Sequence, residues 1–334
     1  MIILKRLSQV LLRVNSLAIE GSEGITAIAM SKNKEFLAVA NKSDNGVIRI
    51  YNIDKKDGGI QLKRKVILST NEHTSKEYIS LCFGNELKTR TLISLGGAPD
   101  YYLIHWSWLG DKGKVKAFQI LRGINEINQV SMNPSSPSSD IIITGNNTFK
   151  YYNLNNGLQQ VKAEITAKEN SGSMNYRCHI WIAGKLYICT DKGEILLVDN
   201  KSCKGKIESS PNDGISIECV VANKSIMITG GGNTALNFFN IEVEGNKVIC
   251  EKQNKDPIFI SSRMKDMENA NIKTLLISPN NQWLIISLDN NQLLKAEITI
   301  SSLENIRFEY LYYPFHSASV TPILISRLMD LMYA

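Results

Sequence analysis

Apolar residues come along this chain in short alternating runs, each closed by a cluster of Asn, Asp and Gly. That is the pattern of strands joined by tight turns, with a period near two rather than that of a helix. With the turns aligned, five hairpins superimpose: residues 39–52 (VANKSDNGVIRIYN), 143–153 (ITGNNTFKYYN), 188–199 (ICTDKGEILLVD), 228–240 (ITGGGNTALNFFN) and 286–298 (ISLDNNQLLKAEI). Each has a small or polar run, a turn rich in Asn, Asp or Gly, and an alternating apolar strand. A further strand is predicted in front of each unit, at 25–30, 78–83, 127–132, 176–182, 215–221 and 272–278. Several of these run into turns of the Ser-Pro-Asn kind, at Ser31, Asn133 and Ser278. A fourth strand follows, for example at 63–68, 114–120, 159–165, 247–251 and 307–313, and residues 78–121 supply the remaining unit with 101–108 as its third strand.

The period of roughly 40 to 57 residues fits a four-stranded propeller blade and no helical repeat. In four hairpins the second strand closes on an apolar residue followed by Asn or Asp: Tyr51 and Asn52, Tyr152 and Asn153, Val198 and Asp199, Phe239 and Asn240. A WD repeat carries its Trp-Asp pair there. The expected fold is therefore an all-β, WD40-type β-propeller with about six full blades over residues 21–318. Residues 319–326 read as the first strand of a further blade within 319–334, so that the ring is either seven-bladed or incomplete. Residues 1–20 read as an N-terminal strand or the remnant of a blade. A blade exposes both faces until neighbours cover them. The expected route to closure is through residues missing at both ends of a shortened chain, in preference to pairing of 10–19 with 319–326.

Composition changes this picture little. With 334 residues and 43% apolar content the chain can bury a large core. Apolar runs fall short of the roughly 18 residues that a membrane-spanning helix needs, and no membrane partner is expected. The formal net charge of +6 is spread along the chain. Its local groups, such as Lys63, Arg64 and Lys65, read as solvated strand edges in preference to a surface for nucleic acid or another acidic partner. Six scattered cysteines include no C-x-x-C pair, so they read as buried thiols. No catalytic, cofactor-binding or metal-ligating residues are expected. The string GGGNTA at 230–235 satisfies a dinucleotide-binding pattern, but an aromatic and β-branched strand follows it where a helix N-terminus is required. Cys178 and His179 are adjacent in a strand, so their side chains point to opposite faces and cannot pair for nucleophilic chemistry.

Five segments carry a more specific likeness: ITAIAMSKNKEFLAVA at Ile25, LISLGGAPDYYLIHWSW at Leu92, INQVSMNP at Ile127, CHIWIAGKLYICTDKGEILLVD at Cys178, and SPNNQWLIISLDNNQL at Ser278 with FEYLYYPFHSASVT at Phe308. In order and spacing they resemble the first propeller of the cilia- and flagella-associated protein fifty-seven family. The resemblance implies a non-catalytic scaffold of motile cilia, on the axoneme within the cytoskeleton and cytoplasm. Its implied partners are inner-arm dynein components and doublet-microtubule proteins. The second propeller and coiled coil of that family have no counterpart in this sequence. A general WD-repeat adaptor outside cilia, such as a ubiquitin-ligase substrate receptor, is the alternative. The candidate partner-binding residues are Arg263, Lys265 and Asp266, in the charged insertion 254–271; that segment otherwise reads as a solvated loop.

Overall fold

The computed structural model describes residues 22–312, except 57–58, 71, 73–74, 86–89, 111, 125, 136–139, 156, 164–173, 208–209, 212, 266, 268, 279 and 299. Six antiparallel four-stranded meanders follow one another. The first blade holds β1 (Gly24–Met30), β2 (Phe36–Lys42), β3 (Val47–Lys56) and β4 (Gly59–Leu68), and the second β5 (Tyr78–Phe83), β6 (Thr91–Gly96), β7 (Tyr102–Ser107) and β8 (Lys114–Ile120). The third holds β9 (Ile127–Met132), β10 (Asp140–Gly145), β11 (Thr148–Asn153) and β12 (Gln159–Val161). The fourth holds β13 (Tyr176–Ile182), β14 (Lys185–Thr190), β15 (Ile195–Asp199) and β16 (Ser202–Lys206). In the fifth are β17 (Ile217–Ala222), β18 (Ile226–Gly231), β19 (Ala235–Glu244) and β20 (Lys247–Lys252), with a two-residue strand β21 (Ile258–Phe259) added on β19; the sixth is β22 (Ile272–Ile277), β23 (Trp283–Leu288), β24 (Leu293–Glu297) and β25 (Phe308–Tyr312).

The core lies between blades, because the second strand of each is covered on both faces and successive side chains go to opposite neighbours. In β14, Leu186 and Ile188 pack with Ile142 and Tyr151 of the third blade, while Tyr187 and Cys189 pack with Met227 and Phe239 of the fifth. In β10, Ile141 and Ile143 turn to the second blade and Ile142 to the fourth. The first strands succeed one another as neighbours, β1 beside β5, then β9, β13, β17 and β22.

The first strands of the second, third and fourth blades match the sequence expectation residue for residue, as does β8. The blade count is corrected: among the described residues there are six blades, with no seventh and no part of one. The expected strand at 319–326 and the segment 1–20 lie outside the described residues. The turn of GGGNTA at 230–235 joins β18 to β19, and Asn233 and Thr234 adopt left-handed backbone there, so no helix follows. The insertion 254–271 departs from a solvated loop. Ile258, Ile260, Met267 and Ala270 are buried between the fifth and sixth blades, and Ile258 pairs with Leu236 through β21. Asn254 anchors its start, accepting from the Phe238 N–H at 2.7 Å and donating to the Asp256 carbonyl at 2.8 Å.

Candidate functional site

A propeller leaves the inner edge of each first strand unpaired, a row of backbone donors and acceptors that must find partners. Each first strand here carries a β-bulge near its start. The extra residues are Thr26, Ile79, Asn128, Arg177, Glu218 and Lys273, one per blade. A bulge bends its strand and re-aims the side chains that follow. In four blades the next residue reaches the first strand of the succeeding blade. Ser80 Oγ accepts from the Val130 N–H at 3.3 Å. The Gln129 amide accepts from the His179 N–H at 2.9 Å and donates to the His179 carbonyl at 3.2 Å, as a paired strand would. The thiol of Cys178 donates to the Ile217 carbonyl at 3.8 Å, and that of Cys219 lies between the Gly230 carbonyl of its own blade at 3.6 Å and the Ile272 carbonyl at 4.0 Å.

Three of the bulged residues add to this stitching. Asn128 Nδ2 donates to Asn175 Oδ1 at 3.0 Å and to the Tyr176 carbonyl at 2.9 Å. Arg177 Nε lies 3.5 Å from Glu218 Oε1, which also accepts from Ser216 Oγ at 2.7 Å. Small residues let the backbones approach. A Cβ on Gly231 would strike the Ser216 carbonyl, and one on Gly145 the Glu126 carbonyl.

Between the third and fourth blades the polar contacts converge on His179, which is 3% exposed. Its Nε2 lies 2.5 Å from Ser131 Oγ and its Nδ1 2.8 Å from Thr144 Oγ1, and Trp181 Nε1 donates to Ser131 Oγ at 2.9 Å. A ring with one proton on either nitrogen satisfies both hydroxyls. Burial drives its pKa down to about 3, so the imidazole is neutral at physiological pH. Cys178, one residue earlier, points instead to the fifth blade, and burial pushes its thiol pKa up. The two neighbours in sequence thus serve different blade interfaces. Ser131 and His179 do touch, yet they lack the buried carboxylate that orients a catalytic imidazole, and Thr144 occupies that place.

Of the candidate partner-binding residues, Arg263 and Lys265 lie on the exposed turn of the insertion. Arg263 Nη1 donates to the Ile306 carbonyl at 2.7 Å, tying the insertion to the sixth blade, and the Lys265 carbonyl faces Tyr310 Oη at 3.5 Å. Asp266 lies outside the described residues. Among the described residues, no group of three His, Cys, Asp or Glu side chains is placed to hold a metal ion, and no helix is long and apolar enough to cross a membrane. The bulges and the contacts that follow them escaped the sequence reading. Their trace in sequence is a polar or thiol residue at the third position of each first strand.

Two solved structures share the architecture. The β-propeller domain of Cps50 (Swd1) from Myceliophteria thermophila superposes with a TM-score of 0.60 at 12% identity, covering 83% of each chain. Sqt1 of Saccharomyces cerevisiae gives 0.60 at 13% identity, over 86% of this chain and 74% of that one. No protein-family model matches the chain. Among curated proteins, Cilia- and flagella-associated protein 57 A of Tetrahymena thermophila is 26% identical over 363 residues, which covers 91% of this chain and 27% of that protein. Cilia- and flagella-associated protein 57 of Mus musculus is 24% identical over 359 residues, covering 90% and 27%. The chain spans about a quarter of the length of these relatives. Through nine-tenths of its own length, this six-bladed propeller resembles the cilia- and flagella-associated protein 57 family.

Proposed function

We propose that this chain is a non-catalytic WD-type scaffold of motile cilia and flagella. In this role its blade edges and loops dock inner-arm dynein components onto the doublet microtubules of the axoneme. The observation that carries the proposal is the likeness to cilia- and flagella-associated proteins along nearly the whole propeller, rather than at one motif. A fold in which polar groups such as His179 and Gln129 join one blade to the next fits a structural role. Arg263 and Lys265, on the exposed turn of the insertion, are the proposed docking residues.

The test is co-purification of the tagged chain with axonemes from a ciliated cell, alongside its transcript during regrowth of cilia. The expected result is retention on axonemes and a transcript that rises with regrowth. Charge reversal at both Arg263 and Lys265 lowers that retention. A flat transcript and a chain absent from axonemes would overturn the ciliary role. Unchanged retention of the double variant would remove only the two residues.

A further inference from the structure

The formal net charge of the chain is +6, and the fold brings two of its basic runs end to end. Strands β4 and β8 are the outer strands of the first and second blades, and they meet end to end. Gly113, just before β8, abuts Leu68 and the carbonyl of Ile67 at the end of β4, and Val115 packs on the cluster that contains Val66 and Leu68. The joined rim runs through Lys63, Arg64 and Lys65 on β4, then Lys112, Lys114 and Lys116, with no acidic residue in 61–68 or 112–120. One of the six, Lys63, is paired, with Asp54 at 3.0 Å.

Apolar surface collects at the same rim. Five large apolar side chains are exposed among the described residues, and four of them, Ile67, Leu109, Phe118 and Ile120, lie on these strands or on the turn leading into β8. Lysines on an outer strand ordinarily guard against unwanted strand pairing. A guarded edge, however, hides its apolar residues, whereas Phe118 is 40% and Ile120 41% exposed. Past the bulge at Lys116, Phe118 stands opposite Ile104 and Ile120 opposite Tyr102, so the two share one face of an alternating strand.

We propose that this rim, and the edge of β8 above all, docks an extended acidic peptide with alternating apolar residues. Beyond the assignment to cilia, and independent of it, this names the chemistry of a partner. The outer strand of a sheet offers backbone groups that only another extended chain satisfies in register, and its alternate side chains set specificity. The lysines attract the acidic residues and steer the encounter, while Phe118 and Ile120 receive the apolar ones. A polyphosphate backbone would engage the lysines and leave that register unused.

The probe is a fluorescein-labelled peptide of about twelve residues alternating Glu and Val, titrated with the full chain by anisotropy in about 50 mM salt. A labelled oligothymidine of the same length runs in parallel. The peptide is expected to bind more tightly than the oligonucleotide. Lys114→Glu with Lys116→Glu is expected to weaken it at least about tenfold, Phe118→Ser at least about threefold, and Lys192→Glu on a distant exposed turn not at all. The proposal is overturned if the peptide does not bind, if oligothymidine binds as tightly, or if Lys192→Glu weakens binding as much as the rim variants do.

Discussion

His179 makes the stability of the propeller depend on pH in a way that one substitution removes. In the unfolded chain an imidazole titrates near 6.5, whereas in the fold burial lowers its pKa to about 3. Between those two values the unfolded chain holds a proton that the folded chain does not, so acidification favours unfolding. The contribution is near zero at about pH 7.5 and reaches about 1.4 kcal/mol of lost stability at about pH 5.5, growing by a similar amount for each further unit down to about pH 3. Because the ring is 3% exposed, solvent screening does not reduce this. His179→Gln leaves Ser131 and Thr144 with poorer partners and is expected to be less stable by about 1–3 kcal/mol at neutral pH. The gap between the two proteins then narrows by about 1.4 kcal/mol on going to about pH 5.5, since only the native chain carries this imidazole; carboxylates common to both cancel. Urea titrations followed by tryptophan fluorescence at the two pH values measure it. Equal pH dependence in both proteins would refute the assignment of a neutral, buried His179.

Gly231→Ala drives a Cβ into the backbone carbonyl of Ser216, which cannot swing aside as a side chain would, and is expected to destabilise by about 1–3 kcal/mol in the same titration. Ile260→Ala, in the insertion, is expected to lose about 2–5 kcal/mol, because Ile260 is fully buried between two blades; a solvated loop would lose almost nothing. Cys178, which is buried and whose thiol pKa burial pushes up, is expected to resist a disulfide reagent at about pH 8 until denaturant is added, and prompt labelling of Cys178 in the native protein would contradict its packing.

The blades were legible in sequence because alternation and turn chemistry are local. The runs 78–83, 114–120, 127–132 and 176–182 are strands over those same residues. What escaped depends on neighbours. The bulged residues include a threonine, an isoleucine, an asparagine and three charged side chains, so no composition marks them. In the insertion, Lys255, Asp256, Arg263 and Lys265 conceal four buried apolar residues that follow no regular period. Lys63, Arg64 and Lys65 read as an ordinary solvated edge until the fold brings the start of β8, with its own lysines, to the end of β4. For the candidate site, sequence supplied the charged turn at Arg263 and Lys265 but not its tie to Ile306, which lies 43 residues away.

Four side-chain stitches along the inner strands, from Ser80, Gln129, Cys178 and Cys219, point from their own blade to its successor, and they span 39 to 53 residues. During synthesis this imposes a timetable. Gln129 leaves the ribosome with its amide uncommitted and waits 50 residues for the backbone of His179, and Ser80 waits as long for Val130. At roughly 5–20 residues per second each wait lasts about 3–10 seconds, far longer than a hairpin needs to form. From the third blade to the sixth, each new blade therefore meets a finished meander with its docking residue already presented, and these blades are added by short-range closures rather than by one search over the whole chain.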